Sequence, residues 1–242
     1  MSKEAQMSVR RSLKSIRDRI AAEAKKYERK RAPRLVAVSK TKPIELLSAA
    51  YDEGHRDFGE NYVMELVDKA PKLPKDIRWH FIGKLQSNKC KKLVAGVPNL
   101  AVVETVDSVK LATKLNSACE AADRKNPLEV CVQVNTSGEA SKSGCRPDEC
   151  IDLTRHVLKS CKNLRFRGLM TIGRYGDTTP ECFETLASCR DKVLKEIELS
   201  EQTKATFEMS MGMSGDFPLA IRCGSTSVRV GSSIFGARDY SK

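Results

Sequence analysis

The sequence of 242 residues predicts an α/β fold, a (β/α)8 TIM barrel with one additional N-terminal helix. Eight short runs of strand-forming residues alternate with longer segments of helical period. The first four runs begin about 22 residues apart, a spacing that suits one strand and one crossover helix. The first run, Leu35 to Val38, is continuously apolar, as a strand buried on both faces of a closed parallel barrel must be.

The predicted strands and helices follow one another in regular order. The strands cover residues 34–39, 57–59, 79–83, 101–104, 129–135, 167–172, 206–211 and 227–231. The helices between them cover residues 43–54, 61–70, 86–96, 107–124, 147–161, 179–200 and 215–223. In the helix over 107–124, the apolar stripe consists of Val109, Ala112, Leu115, Cys119 and Ala122. We expect Asp107 to cap that helix.

An open, doubly wound sheet is the alternative fold. It would bind a dinucleotide, but no Gly-x-Gly-x-x-Gly motif follows the first strand. The chain has no linker rich in Pro, Gly or Ser and no internal repeat. We therefore expect a single domain over residues 1–242, in which residues 1–33 form an amphipathic helix and residues 34–242 form the barrel.

The net charge of +12 suggests a polyanionic partner, but most of the excess lies in one segment. Residues 1–34 contain 12 Lys or Arg residues and four acidic residues. The same segment has an apolar stripe at helical spacing, formed by Val9, Leu13, Ile16, Ile20, Ala24 and Tyr27. We expect a helix whose charged face is solvated, with no nucleic-acid partner. A helix that contacts RNA or a membrane surface is the alternative.

Several classes of protein are excluded by what the sequence lacks. No apolar run approaches the roughly 18 to 20 residues of a membrane span, and the N-terminus has no signal-peptide core. The nine cysteines form no Cys-x-x-Cys pair and are odd in number, so we expect reduced thiols and a cytoplasmic location, with a mitochondrial pool left open. Without a His-Glu-x-x-His or a Gly-x-Ser-x-Gly motif, neither a metal site nor a serine hydrolase is predicted.

Lys40 is the first candidate for chemistry. It ends the first predicted strand, and the carboxyl ends of barrel strands form the mouth where active sites lie. A lysine amine that is desolvated and close to other cations loses its proton readily and condenses with an aldehyde to an imine. A lysine beside a Thr-Lys-Pro turn that is simply solvated is the alternative.

The segments after the seventh and eighth strands have the composition of a phosphate cradle. Ser210 and Met211 end the seventh predicted strand and Ser214 follows it, while Gly231 ends the eighth and Ser232 follows it. Glycine and small hydroxyl residues let backbone N–H groups approach a phosphate, which barrels of this class often bind there. Tight packing of the glycines is the alternative. A reactive lysine opposite a phosphate cradle is what pyridoxal 5′-phosphate (PLP) requires, and we predict PLP as the cofactor.

Three further residues are candidates for the same pocket. Arg229 alternates with two valines in the last strand, and it either forms a buried ion pair or faces the pyridine nitrogen of the cofactor. Asn61 either binds a ring substituent or caps the next helix, and His80 either lines the pocket or is a satisfied core residue.

Ordered motifs along the chain resemble the YggS/PROSC family of pyridoxal phosphate homeostasis proteins, which is related in fold to the N-terminal barrel of alanine racemase. The matching segments are residues 37–42 (AVSKTK), 58–62 (FGENY), 79–86 (WHFIGKLQ), 135 with 142–144, 167–170 (RGLM), 210–214 (SMGMS) and 229–238. The resemblance implies that Lys40 carries PLP as a Schiff base, that Ser210, Gly231 and Ser232 surround its phosphate, and that Arg229 approaches the ring nitrogen. At position 232, Ser stands where many relatives have Thr.

The resemblance also implies a function. Alanine racemase has a second, β-rich domain and a tyrosine from the partner subunit, and the 242 residues contain no equivalent segment. We therefore expect a non-catalytic carrier that maintains PLP homeostasis, acts as a monomer or weak dimer, and serves PLP-requiring apoenzymes. A PLP-dependent amino-acid racemase or another PLP enzyme is the alternative.

Overall fold

Parallel strands form the centre of the molecule. They are β1 (Arg34–Val38), β2 (Asp57–Glu60), β3 (Arg78–Phe81), β4 (Leu100–Val106), β5 (Leu128–Gln133), β6 (Leu164–Met170), β7 (Glu208–Ser210) and β8 (Ser227–Val230). The computed structural model describes residues 2–174, 176 and 179–237, and within these ranges the eight strands close into a barrel. Each strand pairs with the next, and β8 pairs with β1, which confirms the predicted (β/α)8 fold. Residues 1 and 238–242 of the predicted domain lie outside the described ranges.

Helices surround the barrel in the predicted order. They are α1 (Lys3–Lys26), α2 (Ile44–Asp52), α3 (Val63–Lys69), α4 (Cys90–Gly96), α5 (Val109–Ala121), α6 (Cys150–Ser160), α7 (Glu181–Glu196), α8 (Glu201–Ala205), α9 (Phe217–Arg222) and α10 (Ser232–Phe235). Short 3-10 turns cover Ala70–Lys72 and Ser87–Lys89. The sequence does not predict α8 and α10, because five and four residues are too few to show a helical period. No helix in the described ranges is long and apolar enough to span a bilayer.

The start of α5 differs from the prediction. Asp107 does not cap the helix, because Ser108 is the N-cap residue and its Oγ accepts a hydrogen bond from Leu111 N–H at 3.3 Å. Val109, predicted to be in the apolar stripe, is 49% exposed. Helical side chains lean toward the N-terminus, so a residue in the first position projects beyond the packed interface. The buried face consists of Leu111, Ala112, Leu115, Ala118 and Cys119.

The N-terminal helix α1 packs on the outside of the barrel, next to the place where the first strand, β1, pairs with the last strand, β8. It contacts α2, α9 and α10, which flank β1 and β8. The predicted stripe is buried over Val9, Leu13, Ile16, Ile20 and Ala24. On the polar side, Arg10 pairs with Asp52 and Glu53, each at 3.0 Å. The helix therefore covers apolar surface on the outside of the barrel closure.

The barrel interior contains charged side chains as well as apolar ones. Val102, Cys131 and Met170 form a small apolar cluster separate from the main core. The buried charged residues with electrostatic contacts to one another there are His80, Glu104, Glu208 and Arg229. Barrel interiors are usually filled by branched apolar residues, which do not solvate a charge. Each buried charge must therefore be neutralised by a partner within the interior.

Leu13→Ala is expected to lower the free energy of unfolding by about 2–5 kcal/mol, because Leu13 is fully buried between α1 and the barrel. Urea-induced unfolding followed by circular dichroism measures the change. Met7→Ala is the matched control, since Met7 is 53% exposed on the same helix and its loss should change stability by less than about 0.5 kcal/mol. Equal effects of the two substitutions would show that α1 is not packed as described.

Candidate functional site

The residues expected at the barrel mouth come from neighbouring strand ends. Lys40 follows β1, which pairs with β2 on one side and with β8 on the other. Asn61 follows β2, while Gly231 and Ser232 follow β8. A Cβ atom on Gly231 would lie 3.3 Å from the carbonyl oxygen of Val38, so the loop after β8 runs against the end of β1. The strand order therefore brings the loop of Lys40 beside the loop predicted to hold a phosphate.

A buried ion cluster, which we call the loop anchor, lies under the loop of Lys40 and consists of Lys69, Glu60 and Glu65. Lys69 Nζ donates to Glu60 Oε1 at 2.9 Å and to Glu65 Oε1 at 2.5 Å. The same amine donates to the carbonyl oxygen of Ser39 at 2.9 Å, and Ser39 Oγ donates to Glu60 Oε1 at 2.7 Å. Glu60 is fully buried, and burial raises the pKa of its carboxyl group. The loop anchor thus binds the residue directly before Lys40 through both backbone and side chain.

The residue after Lys40 is held by the same cluster. Thr41 has a φ of +63°, a left-handed conformation that costs a β-branched residue roughly 1–2 kcal/mol. Its N–H group donates to Glu65 Oε1 at 2.5 Å, and the N–H group of Lys42 donates to the carbonyl oxygen of Ser39 at 3.0 Å. Lys40 therefore lies in a tight turn that is fixed on both sides.

The loops after β7 and β8 meet at the mouth through a hydrogen bond. Gly231 N–H donates to Ser214 Oγ at 3.2 Å. Gly212 has a φ of +98°, and a Cβ atom there would lie 2.6 Å from Ala220 Cβ on α9. At Gly212, therefore, tight packing against α9 accounts for the glycine, which is the alternative to a phosphate cradle that the sequence left open. Ser214 is half-buried and Ser232 is exposed, so their hydroxyl groups are placed where a ligand can reach them.

One strand layer below the mouth, a network of charged hydrogen bonds crosses the barrel interior. His80 is 1% exposed, its Nδ1 lies 2.6 Å from Glu104 Oε1, and its Nε2 lies 3.2 Å from Asp57 Oδ1. Ser210 Oγ donates to Glu104 Oε2 at 2.5 Å and accepts a hydrogen bond from Arg229 Nη1 at 2.5 Å. Arg229 Nη1 itself lies 3.9 Å from Glu104 Oε2. His80 and Arg229 are thus opposed by the carboxylates of Asp57 and Glu104. Asp57 also accepts a hydrogen bond from Arg78 Nε at 2.8 Å.

Hydrogen bonding keeps the network ionised although it is buried. Burial alone would lower the pKa of His80, but hydrogen bonds with Asp57 and Glu104 outweigh burial and raise that pKa above its ordinary value. Burial would raise the pKa of Glu104, but the hydrogen bond and charge of His80, together with Arg229, lower it to about 2. Burial lowers the pKa of Arg229, whose ordinary value lies so far above neutrality that the guanidinium stays charged. Each ring nitrogen of His80 faces a carboxylate oxygen, an arrangement that suits an imidazolium because only that form donates from both nitrogens.

The structure divides the predicted site residues into two groups and leaves one outside both. Those in loops at the mouth are Lys40, Asn61, Ser214, Gly231 and Ser232. Those in the interior network, where each forms a hydrogen bond with another member, are His80, Ser210 and Arg229. Met211 is fully buried, its N–H donates to Ser227 O at 3.1 Å, and its carbonyl accepts a hydrogen bond from Ser225 Oγ at 2.8 Å. Met211 therefore offers no polar group to a ligand.

Asn61 does not cap the following helix. The N-cap residue of α3 is Tyr62, and no side-chain capping bond is present there. The Oδ1 atom of Asn61 is buried and has no hydrogen-bond partner among the described residues. Because a buried polar atom ordinarily has a partner, this atom marks a place where a ligand or a water can donate a hydrogen bond.

Three residues that build the site are missing from the sequence-based prediction. Glu104 is the last residue of a predicted strand and Glu60 directly follows one, and a charge at the end of an otherwise apolar run was the available signal. Lys69 gave no signal, because lysines are common on helix surfaces and only the tertiary structure buries this one. All three act through other residues and hold the backbone or the charges of the site in place.

The barrel and its site first define a class of protein. A family model described as the alanine racemase N-terminal domain matches residues 12–239. The alanine racemase of Bartonella henselae shares the fold, with a TM-score of 0.69 and 16% sequence identity, over 98% of this chain and 60% of the racemase chain. The protein is thus a barrel of the alanine racemase N-terminal class.

Closer relatives narrow this class. The human pyridoxal phosphate homeostasis protein is 46% identical over 253 residues, which cover 100% of this chain and 90% of the human chain. PipY from Synechococcus elongatus, whose structure was solved with PLP bound, is 31% identical with a TM-score of 0.74, over 94% of this chain and 100% of PipY. The chain belongs to the family of pyridoxal phosphate homeostasis proteins.

Lys69→Met is expected to lower the free energy of unfolding by about 3–5 kcal/mol, because it leaves the buried carboxylate of Glu60 without its cation. Adding Glu60→Gln to the same chain should restore part of the loss, since the uncompensated charge is then removed as well. Urea titration of the single and double variants measures both effects. The matched control is Lys204→Met, whose exposed pair with Glu201 should contribute less than about 1 kcal/mol. A double variant less stable than Lys69→Met would contradict the loop anchor.

His80→Gln is expected to destabilise the fold most at low and neutral pH. A group whose pKa is raised by folding contributes its full stability below its unfolded pKa of about 6.5, and this contribution is lost as pH rises through the folded pKa. The difference in unfolding free energy between the wild type and the variant should therefore shrink as the pH of a urea series is raised.

The control is His55→Gln. Burial lowers the pKa of His55 to about 4, so its difference should be constant above about pH 7.5. A constant difference for His80 would exclude the imidazolium.

Proposed function

We propose that this protein binds PLP as a Schiff base on Lys40 and serves as a non-catalytic carrier that maintains PLP homeostasis. The observation that carries the proposal is the pairing of β1 with β8, which sets the loop of Lys40 beside Gly231 and Ser232. The relatives support it as well, since several are named pyridoxal phosphate homeostasis proteins and PipY was solved with PLP.

The chemistry at the mouth suits this cofactor. PLP would supply an aldehyde for the neutral amine of Lys40. Condensation would form a C=N bond, and the carbonyl oxygen would leave as water with the two hydrogens of the amine. The hydroxyl groups of Ser214 and Ser232 are the groups that would hold the phosphate, and Gly231 N–H, which donates to Ser214 Oγ at 3.2 Å, orients the first of them. Asn61 Oδ1, buried without a partner among the described residues, is suited to a donor on the ring.

The interior network favours retention of the cofactor over catalysis. Arg229 carries a permanent positive charge, which would disfavour protonation of a nearby pyridine nitrogen and so weaken the ring as an electron sink. His80 uses both ring nitrogens for carboxylates, so it offers no free base. Glu60 and Glu65 are likewise bound to Lys69. These groups hold the site in place and do not form an acid–base pair for proton transfer.

A carrier delivers its cofactor to other proteins. We propose PLP-requiring apoenzymes as the recipients, a cytoplasmic location and a monomeric or weakly dimeric state. The loop anchor fixes the backbone on both sides of Lys40, and release of PLP would require that the imine be hydrolysed at the mouth.

Purified wild-type protein is expected to bind PLP and show the absorption band of an imine, and Lys40→Ala should abolish this band. The matched control is Lys42→Ala, because Lys42 lies two residues away and its Nζ donates to the carbonyl oxygen of Ala237 at 2.6 Å, outside the proposed chemistry. Borohydride reduction followed by peptide mass spectrometry should place the PLP adduct on Lys40. A colourless wild type, or an adduct confined to another lysine, would refute the proposal.

Amino-acid racemase activity is the second candidate function, because the barrel shares the racemase fold. Incubation of the PLP-loaded protein with L-alanine, followed by chiral chromatography, separates the two functions. The carrier predicts that the enantiomer ratio stays unchanged, while steady formation of D-alanine that Lys40→Ala removes would establish the enzyme.

A further inference from the structure

The amino ends of the strands surround a second cavity, at the opposite end of the barrel from Lys40. We call it the basal cavity, and its volume is about 940 Å³. It is lined by the segment 29–34, by the first residues of β5, β6 and β7, and by parts of α7 and α8. A volume of this size lies at the upper end of the range for small-molecule sites.

Positive charge dominates the lining of the basal cavity. The segment 29–34 contributes four Lys or Arg side chains, and β6 contributes Arg165 and Arg167. Arg190 of α7 also lines the cavity, and it is paired with Asp191 at 2.7 Å. The carboxylates in the lining belong to Glu129 and Glu208. The cavity therefore has a clear excess of cations over anions, and like charges that converge in this way attract counter-ions.

The two carboxylates orient the arginines. Glu208 Oε2 accepts hydrogen bonds from Arg34 Nη1 at 2.9 Å and from Arg167 Nε at 2.6 Å. Glu129 pairs with Arg165 and with Arg167. Each guanidinium has five N–H donors, so these three arginines carry many more donors than two carboxylates can accept. The ion pairs hold the guanidinium planes in place and leave donor capacity for another acceptor.

Arg29 adds charge that no carboxylate of the described residues offsets. Its Nε donates to the carbonyl oxygen of Ile221 at 3.0 Å, and its Nη2 donates to the carbonyl oxygen of Arg222. Carbonyl groups fix the direction of a guanidinium without cancelling its charge. Beside this cationic rim, Phe166 and Phe207 form an edge-to-face pair with ring centroids 5.7 Å apart, which gives the cavity an apolar wall.

We propose that the basal cavity binds a small oxyanion with at least two negative charges. The ligand that fits best is a phosphorylated metabolite whose organic part lies against Phe166 and Phe207. Guanidinium groups bind phosphate and carboxylate oxygens through paired hydrogen bonds, and several of them together suit a ligand with at least two negative charges. This site is independent of the PLP site, because the two lie at opposite ends of the strands. Its occupation does not depend on Lys40.

The test uses the full-length protein and inorganic pyrophosphate as the probe, with citrate as a second arm that offers carboxylates only. Isothermal titration calorimetry at about 0.15 M ionic strength reduces binding by scattered surface charges. The basal variant combines Arg31→Ser and Arg165→Ser. The matched control combines Arg146→Ser and Arg155→Ser, which removes the same charge from the loop before α6 and from α6, where neither arginine lines the basal cavity.

The basal variant should bind pyrophosphate roughly tenfold more weakly than the wild type, while the control should stay within about twofold. Pyrophosphate should also raise the melting temperature of the wild type and the control more than that of the basal variant. Tighter binding of citrate than of pyrophosphate would confirm an oxyanion site but would overturn the phosphorylated ligand in favour of a polycarboxylate. Equal affinity in all three proteins, or equal losses in both variants, would overturn the proposal. The imine band on Lys40 is read in every sample, so a failed PLP site is recognised separately.

Discussion

The pairing of β8 with β1 is the constraint on which the rest of the structure depends. Arg34 to Ala37 pair in register with Ser227 to Val230, and this closes the sheet. The closure leaves no free strand edge and makes direct neighbours of residues that are 193 positions apart in the chain, such as Arg34 and Ser227. It places the turn of Lys40 against Gly231 and also forms the ridge that α1 covers. Without it, neither the mouth nor the outer packing of the N-terminal helix could form.

Closing a barrel around charged side chains requires that their charges cancel. His80 and Arg229 are nearly inaccessible to water, and each is stabilised by Glu104, either directly or through Ser210. A buried ion that loses its partner costs several kcal/mol, so the loss of any charged member of the network destabilises the fold. The loop anchor follows the same principle nearer the surface, where Lys69 neutralises Glu60 and fixes the backbone at Ser39. In both places electrostatics determine the geometry of the site.

The two ends of the barrel carry different chemistry because they present different backbone and side-chain groups. The carboxyl ends lead into loops with small hydroxyl residues and one anchored lysine, which suits a covalent and reversible bond to an aldehyde. The amino ends gather arginines that Glu129 and Glu208 hold in fixed directions. Much of the excess positive charge of the chain lies in residues 1–34, which form α1 and part of this basal rim. The net charge of +12, which on the sequence alone suggests a polyanionic partner, is therefore divided between the solvated face of α1 and the rim of the basal cavity.

The sequence by itself determined the order of strands and helices, the stripe of α1 and the position of Lys40 at a strand end, because these follow from local periodicity and chain order. The sequence-based prediction placed the N-cap of α5 one residue too early, because Asp107 and Ser108 are both good N-cap residues and only the helix geometry selects Ser108. The partners of Arg229 and His80, the burial of Lys69 and of Met211, and the basal cavity were decided by the tertiary structure alone. Each of them depends on which residues from distant strands share one interior layer, and that depends on barrel closure and register, which no local pattern encodes.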